Sequence, residues 1–391
     1  MDKASYRFLW RENYVDYLWA TNVTIPAYFQ KEGALIYEHH QLSAYAPKKE
    51  LNISAEIGKG LFENNKYEKV FSQLKSVVEN NRSTVPQYKK QYLRGLNNKE
   101  LLQSYENLFE SMRSFVRQYR YTEPYYLASI EDNLDALLYK EEPDQERRAH
   151  LKARLLSNFN EQKDKISRLT KFLRETSKER FEAKRIDAVM SDCAENLLEE
   201  TARRCFVAVT QVSSLNKIEL QEMLLDNIKP DINIVNERKK AFALEVSGRD
   251  VKEYVGQEVD DFKDLVVPEE GLAIKQITGS TAFPGKVRGK AIVLPPISTS
   301  EEYEEFMDEF EAGSILIAPM TSPELVPVFK KVLAIVTDEG GITSHAALIA
   351  REMEIPCIVG TSYATKLIKS GMEVLVDATK AQVTIFKAYA K

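Results

Sequence analysis

No glycine occurs between Gly95 and Gly248, and that gap constrains the fold more than any other feature of the chain. Glycine marks turns, bulges and helix ends, so a long stretch without it has to be regular structure that seldom reverses. Its periodicity is helical. Leu101, Tyr105, Leu108, Met112, Phe115 and Tyr119 recur in steps of four and three, which sets them on one helix face. Asn98, just ahead of them, is suited to cap that helix. From Glu142 to Met190 the sequence is dense in Lys, Arg and Glu, with Leu151, Leu155, Ile166, Leu169 and Phe172 at helical spacing. Long, amphipathic, antiparallel helices with solvated outer faces are the expected result.

Past Gly248 the character changes. "AFALEV" and "VKEYVG" flank "SGRD", which predicts a hairpin. Next come Pro, Gly and Ser mixed with β-branched residues, and a domain boundary is expected between residues 256 and 275. Beyond it, strand candidates at Lys290–Leu294, Ser314–Ala318, Ala334–Thr337, Ile358–Val359, Glu373–Asp377 and Val383–Phe386 alternate with helix candidates. Those helices are Ser300–Phe310, Pro323–Lys331, Ala346–Glu352 and Tyr363–Lys369. Such alternation is the signature of a compact α/β domain. The 391 residues exceed what one ordinary core organises. The expected fold class is α plus α/β: a mostly α-helical domain over 1–256, a linker over 257–270 and a β/α domain over 271–391.

Composition narrows the function classes. A hydrophobic fraction of 43% supports packed cores. A net charge of −5 argues against nucleic acid or an anionic membrane as the main partner. No apolar run is long enough for a membrane span, and the opening "MDKASYRFLW" lacks the apolar segment of a secretory signal. Cys193, Cys205 and Cys357 form no CxxC pair and are odd in number, so reduced thiols in a cytoplasmic protein are expected, each as a small core residue.

The densest local specification lies at "DEGGITSHAALIARE", from Asp338 to Glu352. "VLAIVT" before it reads as a buried strand, Gly340-Gly341 as a tight loop, and Ala346 onward as helix. Ser344 or Thr343 is suited to cap that helix. His345 then falls in the first turn, beside backbone N–H groups without intrahelical partners, where a phosphate is a favoured guest. A neutral imidazole nitrogen is a competent nucleophile toward phosphorus. The Thr343 and Ser344 hydroxyls would meet a phosphate carried there, and glycines would let the backbone approach it. The simpler reading, a capping histidine at a strand–loop–helix junction, fits the same spacing.

"TDEGGITSHAALIAREMEIPCIVGT" closely resembles the signature of the swivelling phosphohistidine domain of the PEP-utilising enzymes, which include phosphoenolpyruvate (PEP) synthase, pyruvate phosphate dikinase and rifampicin phosphotransferase. "GSILIAPMTSPELVPVFKKVLAIVTDEGG" and "TAFPGKVRGKAIVL" resemble the segments before it, so the likeness covers Gly271 to Phe386. It implies that residues 271–391 are a swivelling domain with His345 as phosphoryl carrier, Thr343 and Ser344 as its neighbours, and Gly340, Gly341 and Arg351 supporting the phosphate. Ala378 and Ala381 stand where family members commonly carry glycines.

The family's ATP-grasp and PEP/pyruvate-barrel domains have no counterpart in the sequence, and "GKVRGKA" has the wrong spacing for a P-loop. The resemblance therefore implies no cofactor bound by this chain. Mg-ATP or PEP would be used by a partner, an ATP-grasp or other phosphoryl-donor protein, with a small-molecule acceptor near the helical domain. A non-catalytic binding module that keeps the fold is the alternative, and an autonomous kinase with an unrecognised nucleotide site a third. "WRENYVDYLWATNVTIPAYF" resembles in outline the start of the helical region in related proteins. Its aromatics, with Tyr6 and Phe8 just ahead, would line an acceptor pocket or form a bundle core.

Other polar features are weak signals. Adjacent His39 and His40 after Glu38 point apart on a helix, so no metal site is expected. His150 is expected on a solvated helix face, and Tyr303, Phe306 and Phe310 on the inner face of an acidic helix. Arg351 would pair with phosphate or in an exposed salt bridge. Asp338 and Glu339 would orient the imidazole or end the strand.

Overall fold

The computed structural model describes residues 6–13, 17–29, 31–38, 41–157, 165–267, 276–295 and 300–386. The chain divides into two compact units, each drawn from two stretches of sequence: Met1–Tyr121 with Glu182–Glu269, and Thr122–Phe181 with Glu270–Lys391. The longer helices are α1 (Lys48–Glu63), α2 (Tyr67–Thr84), α3 (Asn98–Tyr119), α4 (Pro124–Glu141), α5 (Gln145–Ser157), α6 (Lys165–Cys205), α7 (Ile232–Lys240), α8 (Glu258–Val266), α9 (Ser300–Glu309) and α10 (His345–Glu352).

In the first unit, helices pack around one core and a sheet carries another. α3 buries Leu101, Tyr105, Leu108, Phe115 and Tyr119, the face its periodicity picks out. They pack with Leu74 and Val78 of α2 and with Ile186, Met190 and Leu197 of α6. The cap of α3 is Asn97 rather than Asn98. The Asn97 side chain accepts from the Glu100 N–H at 3.0 Å and the Glu100 carboxylate accepts from the Asn97 N–H at 2.7 Å, a reciprocal capping box.

The sheet contains β1 (Tyr6–Asn13), β2 (Glu32–Glu38), β3 (Gln41–Pro47), β4 (Ala241–Ser247) and β5 (Asp250–Val255), all antiparallel, in the order β1-β3-β2-β4-β5. β4 and β5 are the hairpin read from the sequence, turning at Gly248 with φ +64°. The first three strands are not among those expected from the sequence, in which this domain is mostly α-helical. Gly33 to Tyr37 are all buried in β2, so both faces are covered and the apolar–polar alternation that identifies a strand is absent.

The segment expected to be a linker, 257–270, holds α8. Val259, Phe262 and Val266 of that helix pack with Tyr6, Ile36 and Tyr45 of the sheet; residues 268–270 lie outside the described residues. The N-terminal aromatics are spread through both cores. Trp19 meets Phe109 at 5.0 Å, Tyr17 meets Phe242 at 5.2 Å and Trp10 meets Tyr28 at 5.2 Å, while Tyr14 lies outside the described residues.

The second unit is built on an eight-stranded sheet of β6 (Gln276–Thr278), β7 (Ser280–Phe283), β8 (Lys286–Val293), β9 (Ser314–Ala318), β10 (Val332–Thr337), β11 (Cys357–Val359), β12 (Glu373–Asp377) and β13 (Gln382–Ile385). Its order is β6-β13-β12-β8-β9-β10-β11-β7. The central strands β8 to β11 are parallel, and their flanks pair antiparallel.

Side chains alternate across the pleat. Leu316, Ile335, Cys357 and Val359 face one core, and Ile315, Ile317, Ala334, Val336 and Ile358 face the other. α10 lays Ala346, Ala347 and Ala350 into the first of these, as do Tyr303, Phe306 and Phe310 of the α9 region. α4, α5 and the part of α6 through Phe181 group with this unit, and α5 packs on α10 and β7.

Candidate functional site

β9 and β10 run in parallel with Thr337 opposite Ala318. Loops leaving the carboxyl ends of neighbouring parallel strands are where open α/β sheets take ligands. The loop after β9 carries Thr321 and Ser322, and the loop after β10 runs from Asp338 to Ser344. The two bring Thr321 against His345.

The β10 loop is specified residue by residue. Gly340 has φ +97°, and a Cβ there would lie 2.7 Å from the Cβ of Ser344, so only glycine leaves Ser344 its place. Ser344 is the N-cap of α10 and accepts from the Ala347 N–H at 3.4 Å. Gly341 admits a close approach, since a Cβ there would meet the ring of Pro124 at 3.0 Å. Asp338 closes the strand and is buried. Its carboxylate accepts from the Thr365 N–H at 3.1 Å, from the Thr361 hydroxyl at 3.2 Å and from the Thr365 hydroxyl. Glu339 is buried beside it.

Arg351 corrects the expectation of an exposed salt bridge. It is 4% exposed, and its guanidinium donates to the carbonyl of Ile342 at 2.7 Å, pinning the loop from below. Burial holds its pKa down to about 10, against the attraction of Cys357 and Glu131.

His345 opens α10, half-buried. Its Nδ1 pairs with the Thr321 hydroxyl at 3.0 Å, while Nε2 is buried with no hydrogen-bond partner among the described residues. The Phe181 ring stacks on the imidazole at 5.2 Å with an interplanar angle of 8°, and Phe329 lies at 6.0 Å. Burial lowers the imidazole pKa to about 4, against the opposing pull of the Glu324 carboxylate. The ring is therefore neutral near pH 7, and in the tautomer whose Nδ1–H donates to the Thr321 hydroxyl the lone pair sits on Nε2. The hydroxyls of Thr343 and Ser322 are likewise buried without a partner among the described residues. Buried polar groups are ordinarily satisfied, and three that are not fall within the two loops and the helix start they lead into.

The structure thus groups His345 with Thr321, and in one loop and helix start with Thr343, Ser344, Gly340 and Gly341; Arg351 stands behind the loop. Thr321 and Ser322 were overlooked in the sequence although they sit in the quoted "APMTSPEL" loop. Phe181 gave no local signal, because it comes from a helix far upstream. His150 is exposed. His39 and His40 lie outside the described residues, and among the described residues no cluster of three His, Cys, Asp or Glu could hold a metal. No helix among them is long and apolar enough to cross a membrane.

Residues 310–381 match the family described as PEP-utilising enzyme, mobile domain. The phosphoenolpyruvate synthase of Pyrococcus furiosus is 41% identical over 140 residues, covering 34% of this chain and 16% of that protein. A probable phosphoenolpyruvate synthase of Staphylothermus marinus is 47% identical over 121 residues, covering 31% of this chain and 14% of that protein. A solution structure of an Enzyme I protein spans 83% of this chain and 81% of its own length at 15% identity, with a TM-score of 0.23, too loose a superposition to carry an argument. The chain thus spans about a sixth of the length of the synthases it matches, and its residues 310–381 are similar to the mobile domain of the PEP-utilising enzymes.

Proposed function

We propose that this chain is a phosphotransferase component that carries a phosphoryl group on Nε2 of His345. The observation that carries this reading is the nitrogen itself: Nδ1 is taken by Thr321, Nε2 is buried without a partner among the described residues, and the ring is neutral. In loading, the Nε2 lone pair attacks the donor phosphorus. The N–P bond forms as the P–O bond to the leaving group breaks, and that group departs with the bonding pair. The Nδ1–H bond to Thr321 steadies the positive charge the ring gains. The Thr343 and Ser322 hydroxyls and the first N–H groups of α10 receive the phosphoryl oxygens. In delivery, an acceptor oxygen that has given its proton to solvent displaces Nε2 and restores the lone pair. The donor is Mg-ATP or PEP held by a separate ATP-grasp or other phosphoryl-donor protein, and the acceptor is a small molecule.

The test is mass spectrometry of phosphate that is labile in acid and stable in base. Wild type and His345→Ala are each incubated with Mg-ATP or PEP, with and without cell lysate as a source of the donor protein. Label on wild type alone, and only with lysate, is the expected result. Label on pure wild type would overturn the separate donor. No label under any condition would overturn the carrier and leave a non-catalytic binding module.

A further inference from the structure

His345 is presented and shut in at once. Attack at phosphorus needs the phosphoryl group about 3–3.5 Å from the nucleophile and in line with its lone pair. Yet Nε2 is buried, the Phe181 ring lies flat over one face of the imidazole, in the space that oxygens of an in-line phosphoryl group would extend into, and Phe329 lies tilted at 6.0 Å. The nitrogen is desolvated with no hydrogen-bond partner in exchange among the described residues, an unfavourable arrangement for a buried polar atom.

The cover is anchored one residue away. Arg180 pairs with Glu123 at 3.0 Å, both side chains largely buried, and donates to the Thr122 hydroxyl at 3.3 Å. Pro124, the next residue after Glu123, is the one that Gly341 of the histidine loop rests against. The anchor of the cover and the loop of the histidine therefore meet at one turn. The helix bearing the cover has soft points. Thr170, Thr176 and Ser177 turn their hydroxyls onto the carbonyls four residues back, at 3.0, 2.9 and 3.0 Å, a pattern that weakens and bends helices.

We propose that Phe181 is an autoinhibitory cover: this structure is the occluded state, and phosphate reaches Nε2 only when residues 165–181 draw back from His345. The occlusion stands on geometry alone, whereas its meaning for loading rests on the carrier reading above.

Diethyl pyrocarbonate acylates accessible neutral imidazoles and needs no phosphoryl donor, so it tests the cover separately. In the full chain, exposed His150 is the internal standard, followed by peptide mass spectrometry. Acylation of His345 proceeds only through the open fraction, so it should run at least ~10-fold slower than that of His150, with Phe181→Ala bringing the two rates together. Phe181→Leu, which keeps an apolar side chain on the helix, should fall between, and serves if the alanine variant unfolds. Wild-type His345 reacting as fast as His150, or no acceleration in either variant, would overturn the cover. Slow acylation relieved by Phe181→Leu, with no phosphate taken up under any condition, would uphold the cover and overturn the carrier.

Discussion

At the scale of single residues, two buried acids and bases pull the pH dependence of stability in opposite directions. His345 has its pKa lowered to about 4 by burial, with Glu324 opposing. An unfolded histidine takes up a proton near its ordinary 6.5, which the fold refuses until about 4. Stability is therefore lost as pH falls through that window. Glu131, whose carboxyl Oε1 is buried, has its pKa raised to about 7 by burial, with Lys152 and Arg351 opposing and Asp135 and Asp132 adding to the rise. The fold keeps a proton that the unfolded chain releases near 4.5, so that contribution is lost as pH rises toward 7. Urea unfolding across pH should show His345→Ala flattening the acid-side loss between 6.5 and 4, and Glu131→Gln flattening the loss between 4.5 and 7. Parallel profiles for variants and wild type would contradict both assignments. Ala381 offers a third test, because it sits at φ +54°, where an L side chain costs about 1–2 kcal/mol. Glycine would relieve that strain while giving back about 0.4–1 kcal/mol in unfolded-state entropy. Ala381→Gly should raise the urea midpoint, by roughly 0.5 kcal/mol on this balance; a lowered midpoint would show that the turn is not strained.

At the scale of elements, the strand–loop–helix unit from Val332 to Glu352 was legible because each of its parts has a local cause. An apolar run makes the strand, paired glycines the turn, Ser344 the cap, and alanines the helix. Legibility failed where the cause is distant. β2 and β3 are buried on both faces by other elements, so no alternation betrays them. The cover on His345 depends on a residue 164 positions upstream, 345 less 181. Arg351 failed differently: its spacing along the helix was read correctly, but burial sends its guanidinium to the Ile342 carbonyl. A charged hydrogen bond of this kind contributes about 1.5–3 kcal/mol. Arg351→Ala should therefore destabilise the protein by roughly that amount in the complete absence of phosphate, measured by urea unfolding. A variant as stable as wild type before loading would return Arg351 to a role on the phosphate.

At the scale of the whole chain, sequence order and packing part company. Reading along the sequence puts everything before residue 256 into one helical domain, since helices of similar composition follow one another without glycine. Packing sends residues 122–181 to the unit of the C-terminal sheet instead. α5 lies on α10 and β7, and Phe181 lies on His345. A fragment cut at the boundary suggested by the sequence, residues 271–391, keeps every strand of the sheet but loses those helices. Its sheet should still form, because the cores on both faces draw, among the described residues, on residues 277–385. The surfaces of α10 and β7 that α5 covers would be exposed, so the fragment should bind an apolar-surface dye and unfold at lower urea than the full chain. Without the Phe181 ring, desolvation of the imidazole is relieved and its NMR titration midpoint should move from about 4 toward the ordinary value near 6.5. A fragment that binds no dye and keeps the midpoint near 4 would mean that the sheet and its own loops bury the histidine, and that the helical stretch contributes neither stability nor cover.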